Sequence, residues 1–335
     1  MRYRRIVALV AVGLLLAGAQ TTIRRMHPIA MGTWYPAGKE DLSASVKKLI
    51  AETDVPVPAG RCVALIVPHA PYSSFGDAAA AGFKLIRPGQ YERVIILAPS
   101  HFREFRGCSI PSVQAYQTPL GDVFLDGPAV REICMSPLFE LRSVRYRPNM
   151  ERTDLHEREY AIEVILPFLQ EQLGSFLLIP ILVGNPKDYN NHTDENAITA
   201  IADKLRKFLD ERTLLVVSTN FTHYGNTFSY RPFKDNILEN IGLLDQQAFR
   251  LIIGRNYRGF QAYLDGTKNT ICGQTALSVL LKLLPRQAEG TLLHYEVSAR
   301  TSGDLNTSIS YAAIAFTEPQ PPAANPEPQS PTPKP

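Results

Sequence analysis

Apolar residues in this chain come in short unbroken runs more often than in strict alternation. Val63–Val67, Val94–Leu97, Leu177–Val183 and Leu214–Ser218 are almost wholly aliphatic, the pattern of strands covered on both faces. Leu292–Val297 and Ile309–Phe316 complete the predicted strands. Between them, Leu42–Ile50, Asp77–Ile86, Glu159–Leu173, Glu195–Leu209 and Thr275–Leu284 carry apolar residues at helical spacing. This order predicts one α/β domain over residues 27–317, with a central, largely buried mixed sheet flanked by helices. Pro180 inside LLIPILVG lacks a ladder donor, so that strand is expected to be irregular or at an edge there.

Ligands in such sheets gather beyond the carboxyl ends of the strands. Two of the runs end on a Pro/His turn, VALIVPHAPY and ERVIILAPSHF, and a third leads into TNFTH. His69, His101 and His223 are therefore predicted on one rim. Two neutral imidazoles and one anionic donor, with positions left open, suit iron, copper or zinc. The anion is a candidate in Cys272, which lies just ahead of the Thr275–Leu284 helix, where the helix dipole favours a thiolate. The plainer readings are hydrogen-bonded histidines and a structural or bridged cysteine. His27, His192 and His294 keep that plain reading, and His156 is expected as a surface residue at a helix start.

The ends of the chain differ from its middle. MRYRRIVALVAVGLLLAGA has a basic start, a short apolar stretch and an A-x-A-like site, so residues 1–19 are expected to be an export signal or an uncleaved anchor. The expected location is periplasmic or secreted, with membrane association only through an uncleaved leader. Three of the arginines lie in that leader, so the formal charge of +3 leaves the rest near neutral. No basic stripe argues for nucleic acid. Residues 318–335 hold eight of the 26 prolines and are expected to form a disordered tail. Four cysteines are too few for a disulfide scaffold but leave room for one bridge, which is expected to use Cys62, Cys108 or Cys134 rather than Cys272.

The stretches WYPAGKEDL, VPHAPYSSFG, APSHF, TPLGDVFLD, IEVILPFLQ, STNFTHYG, ICGQTAL and SGDLNTSISYAAIAF follow one another across nearly the whole chain. In that order they resemble the Memo family, whose bacterial members are also called AmmeMemoRadiSam system protein B. The resemblance implies a fold similar to class III extradiol dioxygenases. It also implies that the family's metal-binding positions fall on His69, His101 and Cys272, with iron or copper as the cofactor.

The chain departs from the family where proton transfer would be served. Asn220 stands where a carboxylate is usual, two residues ahead of Thr222-His223, and Tyr160 replaces a histidine. Pro71 stiffens a turn that usually carries glycine. His223 is expected to act as acid/base, positioned by Asn220, with Tyr160 and Glu163 in support on one helical face. Asp304 in SGD reads as a turn residue, and Trp34 and Tyr35 as packing for the first helix. The reading is a redox-type metal protein acting on O₂ or a small molecule. The alternatives are a peptide-binding module without catalysis and an extracytoplasmic metal-sequestering protein.

Overall fold

In the computed structural model, which describes residues 22–145, 151–186 and 193–319, the aliphatic runs form the middle of a nine-stranded sheet. Arg61–Val67, Thr213–Ser218, Arg93–Pro99 and Leu177–Val183 lie side by side in that order and run parallel. Antiparallel strands close both flanks: Ser308–Glu318 against Arg61–Val67, and Cys108–Ile110 against Leu177–Val183. The sheet is mixed, as the sequence predicts.

Successive side chains of a strand point to opposite faces, and here they enter two different cores. Leu65, Val67, Ile96, Ala98 and Val216 pack on one face beneath the Lys39–Glu52, Tyr72–Phe83 and Leu166–Leu173 helices. Ile66, Ile95, Leu97, Leu215 and Val217 pack on the other beneath Glu195–Arg206, Ile237–Ile253, Tyr257–Thr267 and Gln274–Leu283. Each fully buried aliphatic chain contributes about 1.5–3 kcal/mol, so the strands are held from both sides. The alanine run Ala78–Ala81 is fully buried and lets its helix lie close to the sheet.

Several boundaries differ from the sequence expectation for identifiable reasons. Glu159–Leu173 is not one helix. A turn over Leu155–Arg158 is followed by Glu159 in extended conformation, then a short turn at Glu163–Ile165 and a helix from Leu166 to Leu173. Pro167 can occupy only the first turn of a helix, because its ring excludes a carbonyl four residues earlier. The helix predicted to begin at Asp77 begins at Tyr72, directly after Pro71. The Ile237–Ile253 and Tyr257–Thr267 helices lie in a stretch where no element was predicted. Pro180 sits in a strand paired with Arg93–Pro99 along its whole length. Leu178 turns its carbonyl the other way, to the N–H of Asp126, so the missing donor of Pro180 falls on that flank, before pairing with Cys108–Ile110 begins at Leu182.

All four cysteines are free; the bridge allowed by the sequence is not formed. The Ser308–Glu318 strand includes Glu318, whose carboxylate pairs with Arg61 at 2.8 Å. The leader at residues 1–19 and the tail from residue 320 lie outside the described residues, as does His192. Among the described residues, no helix is long and apolar enough to cross a membrane.

Candidate metal centre

Three neighbouring parallel strands, ending at Val67, Pro99 and Ser218, deliver their following residues to one edge of the sheet. Thr219 continues the ladder by donating its N–H to the Val67 carbonyl, which brings Asn220 beside His69. The Asn220 side chain then closes on the His69 backbone from both sides: Oδ1 accepts from the His69 N–H at 3.0 Å, and Nδ2 donates to its carbonyl at 2.9 Å. Pro71 starts the next helix immediately afterwards. The loop bearing His69 is thus fixed at both ends.

Cys272 arrives from the opposite face, ahead of the Gln274–Leu283 helix. The approach requires Gly273, because a Cβ there would meet Thr219 Cβ and Oγ1 at 2.5 Å. Thr219 Oγ1 accepts from the Gly273 N–H at 2.8 Å, and Cys272 Sγ accepts from the Asn220 N–H at 3.1 Å.

The hydrogen bonds fix which ring nitrogens stay open. Ser218 donates its hydroxyl to the Ala161 carbonyl at 2.6 Å, so it accepts from His69 Nδ1 at 2.8 Å. Glu159 Oε1 holds His101 Nδ1 at 2.9 Å, while Oε2 accepts from the His101 backbone N–H at 2.7 Å. In the neutral form of both imidazoles the proton is therefore on Nδ1 and the lone pair on Nε2. The carboxylate–imidazole pair is the arrangement that orients histidines toward metals. The candidate donor atoms of His69, His101 and Cys272 lie within 4.8 Å of one another. Metal–nitrogen and metal–sulfur bonds of about 2.05 and 2.3 Å at a tetrahedral angle separate N from S by about 3.5 Å. Sγ lies 3.4 Å from His69 Nε2. The residues present therefore fit a metal ion of the imidazole- and thiolate-preferring kind.

Without an ion the two histidines titrate in opposite directions. Burial depresses His69 well below its ordinary value, and the neighbouring imidazoles of His101 and His223 add to this. Burial also works against charge on His101, but hydrogen bonds to Cys272 and Glu159 overcome it and hold that ring up at about 10. The bare pocket thus stores a proton on His101 that an ion must displace.

His223 lines the same pocket, of about 460 Å³, together with Trp34, Tyr160, Asn220, Phe228, Thr270 and Tyr311. Its Nδ1 lies 2.8 and 2.9 Å from the carbonyl oxygens of Phe221 and Thr270. Asn220 does not orient it, contrary to the sequence expectation, because that amide is committed to His69. Tyr160 lines the pocket from a loop rather than from the expected helix, its ring stacked on His101 with centroids 5.0 Å apart and 4.2 Å from Trp34. Glu163 is not on the Tyr160 face. It points back to the N-terminal segment, accepting from Ile29 N at 2.8 Å, Ala30 N at 2.9 Å and the Tyr35 hydroxyl at 2.6 Å. That anchor sets the loop that carries Trp34 into the pocket wall, a role beyond the packing expected of Trp34 and Tyr35.

Other sequence candidates lie elsewhere. His156 is buried rather than at the surface, between the Tyr116 hydroxyl at 2.7 Å and the Ser109 carbonyl at 3.0 Å. His27 bonds Gln117, and His294 lies on the Glu289–Val297 strand. Asp304 caps an exposed turn through the Asn306 N–H. Sequence reading missed Glu159 and Ser218 as orienting groups. A glutamate immediately before the pocket tyrosine was the available signal, hidden by assigning both to a helix.

Residues 25–315 match the family described as Memo-like protein. The chain is 33% identical over 302 residues to the Protein memo-1 homolog of Caenorhabditis elegans, covering 86% of this chain and 81% of that protein. It is 31% identical over 300 residues to Protein MEMO1 of Homo sapiens, covering 85% and 95%. A solved structure of an uncharacterized protein from Escherichia coli K12 aligns over 76% of this chain and 99% of that one. At 15% identity and a TM-score of 0.45 it is too distant to bear on the site.

Proposed function

Because the chain belongs to the Memo-like protein family, we propose that it is a redox-type metal protein holding iron or copper through His69, His101 and Cys272. The observation that carries this is the tautomer lock: Ser218 and Glu159 occupy both Nδ1 atoms and leave two Nε2 lone pairs beside one sulfur. Bound iron or copper would supply one-electron chemistry with a position left open to O₂ or a small substrate. The chain's own groups do the rest. Asn220 N–H tempers the charge on Sγ, and Asn220 Oδ1 and Nδ2 hold the His69 backbone in place. His223, with Nδ1 tied to carbonyls, takes or returns a proton at Nε2. Trp34, Tyr160, Phe228 and Tyr311 keep water from the floor of the pocket.

The same proposal places its work outside the cytoplasm, on the strength of the leader composition. A second reading, a peptide-binding module without turnover, draws on the apolar mouth, where Phe102 is 48% exposed beside the Tyr160 ring. Elemental analysis of protein purified without a polyhistidine tag separates the two. The metal reading expects about one iron or copper ion per chain, lost in Cys272→Ala. A metal-free pocket that still captures peptide would replace it with the second.

A further inference from the structure

The pocket above the His/His/Cys cluster has walls and hydrogen bonds that the ligand set does not use. Among the described residues, its lining contains no lysine, arginine, aspartate or glutamate. Outside the proposed ligand set, an anionic ligand would find no cationic side chain to pair with, and a cationic one no carboxylate. Trp34, Tyr160, Phe228 and Tyr311 instead offer flat aromatic surface, on which planar rings stack or meet edge to face.

Most polar side chains there are already committed. The Asn220 amide closes on the His69 backbone. The Thr270 hydroxyl accepts from the His223 N–H at 2.9 Å and donates to the His223 carbonyl at 2.8 Å. His223 is different. With Nδ1 between two carbonyl oxygens it must carry its proton there, so Nε2 is an acceptor with no partner among the described residues. Burial keeps the ring neutral by lowering it to about 4. His223 is half-buried, and an acceptor facing a cavity is satisfied by water or by a donor that the ligand brings.

We propose that the pocket takes an uncharged planar aromatic compound that donates one hydroxyl or N–H to His223 Nε2 while its ring lies against the aromatic lining. The inference rests on this pocket being the working site, and does not depend on which metal occupies its floor. A ligand without the donor fits the same walls but leaves Nε2 unpaired, which supplies the discrimination.

Trp34 is the chain's one tryptophan, so its fluorescence reports occupancy directly. Phenol, anisole and benzoate are titrated against the full chain as purified and again after chelation, with metal content measured in each sample. Phenol should bind about fivefold or more tightly than anisole, as one hydrogen bond allows, and in the metal-loaded protein, where His101 has given up its extra proton, benzoate should bind more weakly than phenol. In His223→Leu the phenol preference should fall to about one while anisole binding stays. The wild-type comparison stands even if that variant does not fold. A preference that survives in folded His223→Leu, or benzoate binding the metal-loaded protein at least as tightly as phenol, would overturn the inference. Protein that carries no metal as purified yet shows the His223-dependent preference would sink the metal reading alone. Stoichiometric metal without that preference would sink this one alone.

Discussion

Replacing Glu159 with glutamine tests how the metal centre is oriented. The native carboxylate accepts three N–H groups: His101 backbone N at 2.7 Å, His101 Nδ1 at 2.9 Å and Ala161 N at 3.1 Å. An amide has one oxygen, so one of its ends must face a donor with another donor. If the NH₂ lies against Nδ1, the imidazole relieves the contact by moving its proton to Nε2, the atom needed for the ion. If it lies against the backbone N–H, the turn carrying His101 is displaced. Loss of such an orienting partner costs about 10- to 100-fold in metal affinity, or about 1.4–2.7 kcal/mol. The apo protein should lose about 1–3 kcal/mol for the unpaired buried group. Competition with a chromophoric chelator measures the first quantity and urea unfolding the second. Metal affinity within about twofold of wild type, in a folded Glu159→Gln protein, would refute the reasoning.

Three further outcomes follow from the same structure. Glu163→Ala leaves Ile29 N, Ala30 N and the Tyr35 hydroxyl without their acceptor, so it should cost about 2–4 kcal/mol in denaturant unfolding. It should also shift Trp34 emission to longer wavelength, with metal content kept. Gly273→Ala drives a methyl group into Thr219 at 2.5 Å and should cost about 1–3 kcal/mol, lowering metal content because Cys272 is displaced with it. Burial holds His223 at about 4, below its ordinary 6.5, so the unfolded chain binds that proton first. This contribution to stability is complete above pH 6.5 and is lost as pH falls toward 4, by at most about 3 kcal/mol. Unfolding measured against pH should show a flatter acid limb in His223→Leu.

The parallel centre of the sheet and the rim of histidines were legible because both follow from local pattern. Unbroken aliphatic runs mark strands buried on both faces, and a strand that ends on Pro-His places that histidine at its carboxyl end. What joins the strands was less legible. Glu159-Tyr160-Ala161 continues an apolar periodicity into Leu166–Leu173, and only Pro167 hints that the helix cannot start so early. Read as helix, the segment puts Glu159 and Glu163 together; folded as a loop, it aims Glu159 at His101 and turns Glu163 toward Tyr35. Asn220 shows a second limit. Its nearness in sequence to His223 suggested a pair, whereas the ladder bond from Thr219 to Val67 hands it to a residue 151 positions away.

X-ray absorption on protein purified without a polyhistidine tag, at the edge of whichever metal it carries, tests the central claim most directly. Coordination through Cys272, His69 and His101 predicts one sulfur scatterer at about 2.3 Å and two imidazole nitrogens at about 2.0–2.1 Å, with the sulfur absent in Cys272→Ala. A first shell of nitrogen and oxygen alone in the wild-type protein, unchanged by removing Cys272, would contradict it.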